Sequence, residues 1–428
     1  MRFGFFSICM LLMFSFQARA DLTIEITQGI ASSIPISVVP FKVPSGIEED
    51  VDGIIRNDLE RSGHFTALAP RDMLSHPQTE GDIYFRDWRL LKQDYLVIGE
   101  ASVSAPGQYQ IRYQLYDVFN EKQLLVQTLK GNASQLRDIA HRMSDAIYEQ
   151  LTGIRGAFSS KLAYVTTNPR RTKFNLVIAD SDGAREQVVL TSKYSIISPA
   201  WSPDGKRLAY VMLEDSGSKV YVQELASGKK TLVSANKGIN SAPSFSPDGN
   251  KLALTLSKDG NPEIYVVDLN TRHWLRVTNH YAIDTEPNWM PDGEHIIFTS
   301  GRSGSPQIYR VNIESGYIER LTFEGHYNAR ARLAQDGRFL VLVHQAEKGA
   351  PFHIASLDLL RGLLQILTSD TYLDESPSVS PNGVMVMYAA KHNKRSILAA
   401  VSVDGDVKLL FPSKTGDVRE PAWGPYLN

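Results

Sequence analysis

One octapeptide pattern recurs through the last two thirds of the chain and limits the folds open to it. Residues 199–206 read PAWSPDGK, 243–250 PSFSPDGN and 287–294 PNWMPDGE. Residues 331–338 (ARLAQDGR) are a degenerate copy, 377–384 (PSVSPNGV) a fifth and 421–428 (PAWGPYLN) a sixth. Successive copies start 44 residues apart, with one spacing of 46. In the unit that begins at 199, alternating β-branched and aromatic residues mark four short strands, at 199–202, 207–211, 219–224 and 230–233. Pro203-Asp204-Gly205 predicts a tight turn between the first two. Pro presets φ, Asp bonds back to the backbone and Gly accepts positive φ. Four strands per unit of this length are the signature of a β-propeller blade. A β-solenoid repeats at a shorter period, and an immunoglobulin array needs about 100 residues per unit.

The ends set the blade count. The second-strand motif first occurs at 161–165 (KLAYV), upstream of any first strand, where it lines up with 206–211. Strands two to four of one blade are therefore expected within 161–191, and their missing innermost strand at 421–423. The last copy has Pro425-Tyr426-Leu427 where the others have a turn, so it needs no hairpin. The pattern predicts an all-β six-bladed β-propeller over 154–428, closed by the C-terminal strand 421–423, which leaves no inter-blade gap to fray.

Residues 1–153 lack the repeat. Arg2, an uncharged and mostly apolar run over 3–16, and Ala18-Arg19-Ala20 are the three parts of a secretory signal peptide over 1–20, cleaved between Ala20 and Asp21. The run is too short to cross a bilayer as a helix. It contains Cys9, the single cysteine, so no disulfide can form within the chain. Residues 21–153 are expected to form a small N-terminal α/β domain. Its strands are read at 22–27, 36–41, 95–100, 110–118 and 122–129. Val51, Ile54, Ile55 and Leu59 mark one helix, closed by Gly63. Leu136, Ile139, Ala140, Met143, Ile147 and Leu151 mark a longer one that ends at Gly153. With 45 Lys+Arg against 47 Asp+Glu and a net charge of −2, no basic surface offers itself to nucleic acid. No other stretch approaches the length of a transmembrane helix, so a soluble protein outside the cytoplasm is expected.

Motifs for bond-making chemistry are absent from the sequence. The ten histidines include no HExxH and no close pair with metal-ligand spacing. Gly301-Arg302-Ser303-Gly304 departs from a nucleophile elbow, because residue 305 is Ser. No cofactor or metal site is expected, and only a cation in the channel is left open. One constellation remains. The loops entering the innermost strands (195–198, 239–242, 282–286, 327–330, 373–376 and 417–420) are expected to converge at one mouth of the channel. They would bring Asp284, Glu286, Asp374, Glu375, Asp417 and Glu420 near Arg330, Arg332 and Arg419. A charged rim for protein recognition is the favoured reading, because loops on a rigid scaffold carry function. Solvated loops, or two carboxylates placed for glycan hydrolysis, are the alternatives. No blade carries a sialidase-type Asp box. A small-ligand sensor would need a deep apolar pocket, and the polar rim argues against one.

The combination of a signal peptide, a small α/β domain and P-x-[WF]-S-P-D-G repeats resembles the TolB family, the periplasmic components of the Tol–Pal system. The segments 36–41 (ISVVPF), 284–287 (DTEP), 373–377 (LDESP) and 421–427 (PAWGPYL) are similar to family segments. The fourth repeat departs from the pattern. The resemblance implies a non-enzymatic scaffold of the periplasm, expected to be a monomer, that supports outer-membrane integrity and invagination at cell division. Its propeller mouth would bind the outer-membrane lipoprotein Pal through Ile239, Ala242, Asp284, Thr285, Glu286, Tyr327, Arg330, Leu373, Asp374, Glu375, Arg419 and Glu420. Its N-terminal segment 21–32, with Asp21, Leu22, Thr23, Ile24, Glu25, Ile26, Thr27, Gln28 and Gly29 at its heart, would bind the C-terminal domain of TolA, an inner-membrane protein. Colicins and phage exploit the same system. From the residues alone, the segment is equally an edge strand of its own domain or a detachable strand able to extend a partner's sheet.

Overall fold

The computed structural model describes residues 24–28, 33–334, 337–369, 371–392, 395–412 and 416–427. Residues 1–20, the Ala20–Asp21 junction, and Leu22, Thr23 and Gly29 lie outside them. The repeats fold as six four-stranded antiparallel sheets. Blade 1, from the axis outward, is Ser195–Trp201, Arg207–Glu214, Gly217–Glu224 and Lys230–Ser234. Blades 2 to 5 begin with Asn240–Phe245, Asp284–Trp289, Tyr327–Leu333 and Tyr372–Val379. Each buries alternate residues against its neighbours. Val211, Val220 and Val222 of blade 1, for example, pack on Phe245, Leu252 and Leu254 of blade 2.

Blade 6 joins the two ends of the propeller sequence. Its inner strand, Asp417–Trp423, pairs antiparallel with Lys161–Thr167, and Phe174–Asp180 and Gln187–Ser192 complete the sheet. Val418 lies opposite Thr166 and Trp423 opposite Leu162. Polar contacts hold the terminal strand on both sides. Trp423 Nε1 donates to Ser160 Oγ at 2.8 Å, Gly424 N to the Lys161 carbonyl at 2.7 Å, and Trp201 Nε1 of blade 1 to the Ala422 carbonyl at 3.0 Å.

The structure corrects where the inner strands begin. The segments taken as loops entering the inner strands are largely strand. Blade 1 begins at Ser195 rather than 199, and blade 6 at Asp417. Their alternation is hidden because a bulge interrupts every inner strand at the start of the motif.

The first strand, β1 (Glu25–Gln28), belongs to neither an N-terminal sheet nor a partner. It pairs antiparallel with Lys408–Phe411 as a fifth, outermost strand of blade 5, with Ile26 opposite Leu409. The N-terminal domain begins with β2 (Ile34–Val38) and continues through α1 (Val51–Arg61), β3 (Phe65–Ala67), α2 (Phe85–Leu90), β4 (Tyr95–Ala105), β5 (Gln108–Asp117), β6 (Lys122–Gly131) and α3 (Leu136–Thr152). Its sheet runs β3-β2-β4-β5-β6, with β2 parallel to both neighbours. Helices α1 and α3 cover one face, where Ile55, Leu59, Ile139 and Met143 meet Ile36, Val38 and Val97. Trp88 of α2 packs on the other face with Leu96, Ile98 and Tyr116. Asp50 caps α1 by accepting from Gly53 N, and Gly153 ends α3 with φ of 78°. Helix α2 and strand β3 are too short to show a period, and the sequence reading missed them. No helix among the described residues is long and apolar enough to cross a membrane.

The two domains meet at the face of the ring where the inner strands end. Arg137 of α3 bonds Glu49 at 3.2 Å and Asp180 at 3.1 Å and also reaches Asp182, while Arg61 of α1 donates to the Ser181 carbonyl at 2.7 Å. His141, buried between them, lies 2.7 Å from Asp58 through Nδ1. Burial disfavours its charge, but the Asp58 carboxylate outweighs that and holds its pKa above the ordinary histidine value.

Ring closure is testable by truncation. A chain ending at residue 416 should lose the cooperative thermal transition of the propeller, read by near-ultraviolet circular dichroism. A midpoint within about 2 °C of the full chain, the shift that ~1 kcal/mol produces in a domain of this size, would show that closure contributes little.

Candidate functional site

The inner strands carry the same defect six times. Register shifts fall between Ile197 and Ala200, Ser241 and Ser244, Thr285 and Asn288, Ala329 and Arg332, Glu375 and Ser378, and Arg419 and Ala422. At each bulge a residue other than glycine adopts positive φ: Ser198 (51°), Ala242 (50°), Glu286 (56°), Arg330 (53°), Ser376 (56°) and Glu420 (53°). Such a backbone costs about 1–3 kcal/mol per residue and persists only where its surroundings over-determine it. Here the next residue is proline in five blades, and a bulge leaves one backbone position unpaired, where a missing N–H does no harm. Several of the strained N–H groups are in turn satisfied from the preceding blade. Ser198 N donates to Glu420 Oε2 at 3.0 Å, Glu286 N to Thr255 Oγ1 at 3.1 Å, and Arg330 N to Glu286 Oε2 at 3.0 Å.

These six residues line the channel as an upper ring, and the side chains two positions further on form a lower one. Together they bound a cavity of about 770 Å³. Three charges of the upper ring form one group. Arg330 Nε donates to Glu286 Oε1 at 2.8 Å, its Nη1 bonds Ser376 Oγ, and Glu420 Oε1 lies 3.8 Å away. Burial works against the Arg330 charge, but the carboxylates of Glu420, Glu286 and Glu375 outweigh it and hold the guanidinium above its usual pKa.

The residues singled out from sequence divide into three groups. Glu286, Arg330 and Glu420 come together inside the channel, and Ala242 shares their ring. Ile239, Thr285, Tyr327, Leu373, Glu375 and Arg419 stand on the mouth face, away from the N-terminal domain. Ile239, Leu373 and Glu375 are exposed there, and Thr285, Tyr327 and Arg419 half-buried. Asp284 and Asp374 require correction: both are 0% exposed and cannot touch a partner. Arg302 pairs with Asp284 at 2.5 Å, and Thr368 Oγ1 donates to Asp374 at 2.5 Å. Burial raises the pKa of both carboxyls. They brace the rim from beneath, because strand alternation turns them inward while Thr285 and Glu375 turn outward. Asp417 pairs with Arg171 at 2.8 Å, and the Arg419 guanidinium lies 5.5 Å from the Phe174 ring centre.

Sequence reading missed three exposed apolar side chains on the same face. Tyr281 is 86% exposed, Phe323 74% and Ile283 55%. They lie in the connections into blades 3 and 4, on the face that also exposes Ile239 and Leu373. Their signal was the presence of large apolar residues in segments otherwise read as turns. Large apolar side chains exposed on one face are candidates for partner contact. Of the N-terminal segment, Ile24 to Gln28 lie within the described residues. Ile26 is 45% exposed, and Thr27 Oγ1 donates to the Lys408 carbonyl at 3.2 Å.

Arg330 should hold the upper ring together. Arg330→Met would leave two carboxylates facing each other across the channel. We expect a loss of about 1–3 kcal/mol, less than for a dry ion pair because the channel admits water. Adding Glu286→Gln should recover part of it in a double-mutant cycle of denaturant melts. Additive losses would mean that the pair does not interact.

Comparison with known proteins agrees with this architecture. Residues 148–427 match the TolB beta propeller domain and residues 22–124 the TolB amino-terminal domain. The chain is 51% identical over 416 residues to the Tol-Pal system protein TolB of Pseudomonas aeruginosa, covering 96% of each. It is 50% identical over 418 residues to that of Xanthomonas campestris, covering 96% of this chain and 95% of the relative. The crystal structure of TolB from Acinetobacter baumannii superposes with a TM-score of 0.87 at 43% identity, covering 94% of this chain and all of that one. A chain of the nidogen/laminin complex, 12% identical with a TM-score of 0.51 over 63% of this chain, shares the fold alone. On this evidence the chain belongs to the TolB family of Tol–Pal system proteins.

Proposed function

We propose that the protein is a non-catalytic periplasmic scaffold that couples two partners through opposite ends of blade 5. The mouth takes the lipoprotein Pal, with Ile239, Thr285, Tyr327, Leu373 and Glu375 at the contact. The N-terminal segment 21–32 takes the C-terminal domain of TolA. The observation that carries this reading is the placement of β1. It is a four-residue strand laid on an exposed blade edge, with half of Ile26 in solvent. Among the described residues, a handful of net-weak hydrogen bonds, about 1 kcal/mol each, and the packing of Ile24 hold it. Such a strand can leave its edge and add to a partner's sheet. The inner strand of the same blade carries Leu373 and Glu375 at the mouth. Occupation of the mouth can therefore bias the outer edge through one packed sheet, and linkage makes that coupling reciprocal.

A glycan-hydrolase reading has less support. Its two channel carboxylates, Glu286 and Glu420, are engaged by one arginine and by backbone N–H groups. Asp284 and Asp374 are sealed from the channel.

Two measurements test the proposal. Thr285→Arg should weaken binding of Pal at least about tenfold, as expected for a charge forced into an interface, with an unchanged melting temperature. Unchanged affinity would move the contact elsewhere. Calorimetric titration with Pal should also distinguish the full chain from one lacking residues 21–32. Equal affinities would remove the coupling.

A further inference from the structure

The lower ring of the channel is made of Ala200, Ser244, Asn288, Arg332, Ser378 and Ala422, one from each blade. It differs from the upper ring in holding a single charge and no carboxylate. Arg332 Nη1 donates to the Ala331 carbonyl at 2.9 Å, and among the described residues no carboxylate lies within ion-pair distance of the guanidinium. The nearest acidic groups, Glu286 and Glu420, act on it through space only. Their oxygens are already taken by Arg330, Thr299 and the Ser198 backbone. Burial therefore holds Arg332 below the usual arginine pKa, and the Arg330 charge adds to that effect. An arginine remains cationic throughout.

The polar neighbours of Arg332 in this ring are poised to donate. Ser244 Oγ accepts from Trp289 N at 3.3 Å and from Asn288 Nδ2 at 3.4 Å. Ser378 Oγ accepts from Trp423 N at 2.8 Å. Ser244 Oγ has both lone pairs occupied by the protein and Ser378 Oγ one, and the hydrogen of each is left for the channel. At the exit, Arg155 adds a second cation, stacked 3.9 Å from the Tyr426 ring centre. A lone guanidinium, two hydroxyl hydrogens and an amide around one space make the complement of a negatively charged oxygen group.

We propose that the lower ring is a binding site for a small oxyanion, a phosphate or carboxylate group, held by Arg332 with the Ser244 and Ser378 hydroxyls. The site lies inside the channel below the Glu286–Arg330–Glu420 group. It is independent of the docking surface at the mouth. The cavity has room for a group carried on a larger molecule as well as for a free ion.

The test uses the full chain and Arg332→Ser, which places at this position the residue that blades 2 and 5 already have. In chloride the variant should melt at or above the parent, because an unpaired cation has been removed. A melt far below it would show that the arginine is structural and overturn the proposal. Inorganic phosphate should raise the parent's melting temperature above that in chloride of equal ionic strength, through mass action on the folded state, and should not raise that of Arg332→Ser. Calorimetric titration with phosphate, and separately with acetate, should show binding at least about tenfold weaker in the variant for one probe or both. The stronger probe identifies the phosphate or carboxylate class. Equal responses of the two proteins to both probes, or no response in either, would overturn the proposal.

Discussion

The antiparallel pairing of Asp417–Trp423 with Lys161–Thr167 is the contact on which the rest of the molecule depends. Without it blade 6 has no inner strand, and the sheet that begins at residue 161 would present an open edge to the channel. With it, six hydrophobic interfaces close on one another, and every inner strand is held between two neighbours. That confinement lets the inner strands carry a strained residue in each blade. The strain is spent where the backbone must turn side chains toward the axis, and the neighbouring blade supplies hydrogen bonds that an isolated sheet could not.

The bulges convert a one-dimensional repeat into two rings of different chemistry. In the upper ring, charge is balanced by one arginine between two glutamates. In the lower ring, the degenerate fourth repeat places an arginine where other blades have alanine, serine or asparagine. The departure at Ala331 and Arg332 from the motif is thus a change of channel chemistry on a backbone that bulges as in the other blades. The bulge geometry at Arg330 matches that of its five counterparts.

The two ends of the molecule are linked by different means. The N-terminal domain is fastened to the exit face by charge. Arg61 and Arg137 reach across to the Asp180–Asp182 turn, and His141 is buried beside Asp58. The described N-terminal strand is held by an edge pairing on blade 5, by the Thr27 Oγ1 bond to the Lys408 carbonyl, and by Ile24 packed against the core that blades 5 and 6 share.

Local sequence determined the blade, its turns and the number of repeats, because alternation and Pro-Asp-Gly chemistry act over a few residues. It also carried the strand exchange at the ring's end, since an orphan second strand and an orphan first strand can complete only each other. The main α1 and α3 helices were legible for the same reason, through their apolar faces. Tertiary structure alone decided which side chains of the constellation share a space. Asp284 and Thr285 are adjacent in sequence, yet strand alternation buries one and presents the other, and the bulge that follows Thr285 shifts the phase once more. Likewise, the alternating pattern of the N-terminal segment marked it as a strand, but not which edge it would join. That choice rests on the unpaired rim of blade 5, formed by residues almost four hundred positions away.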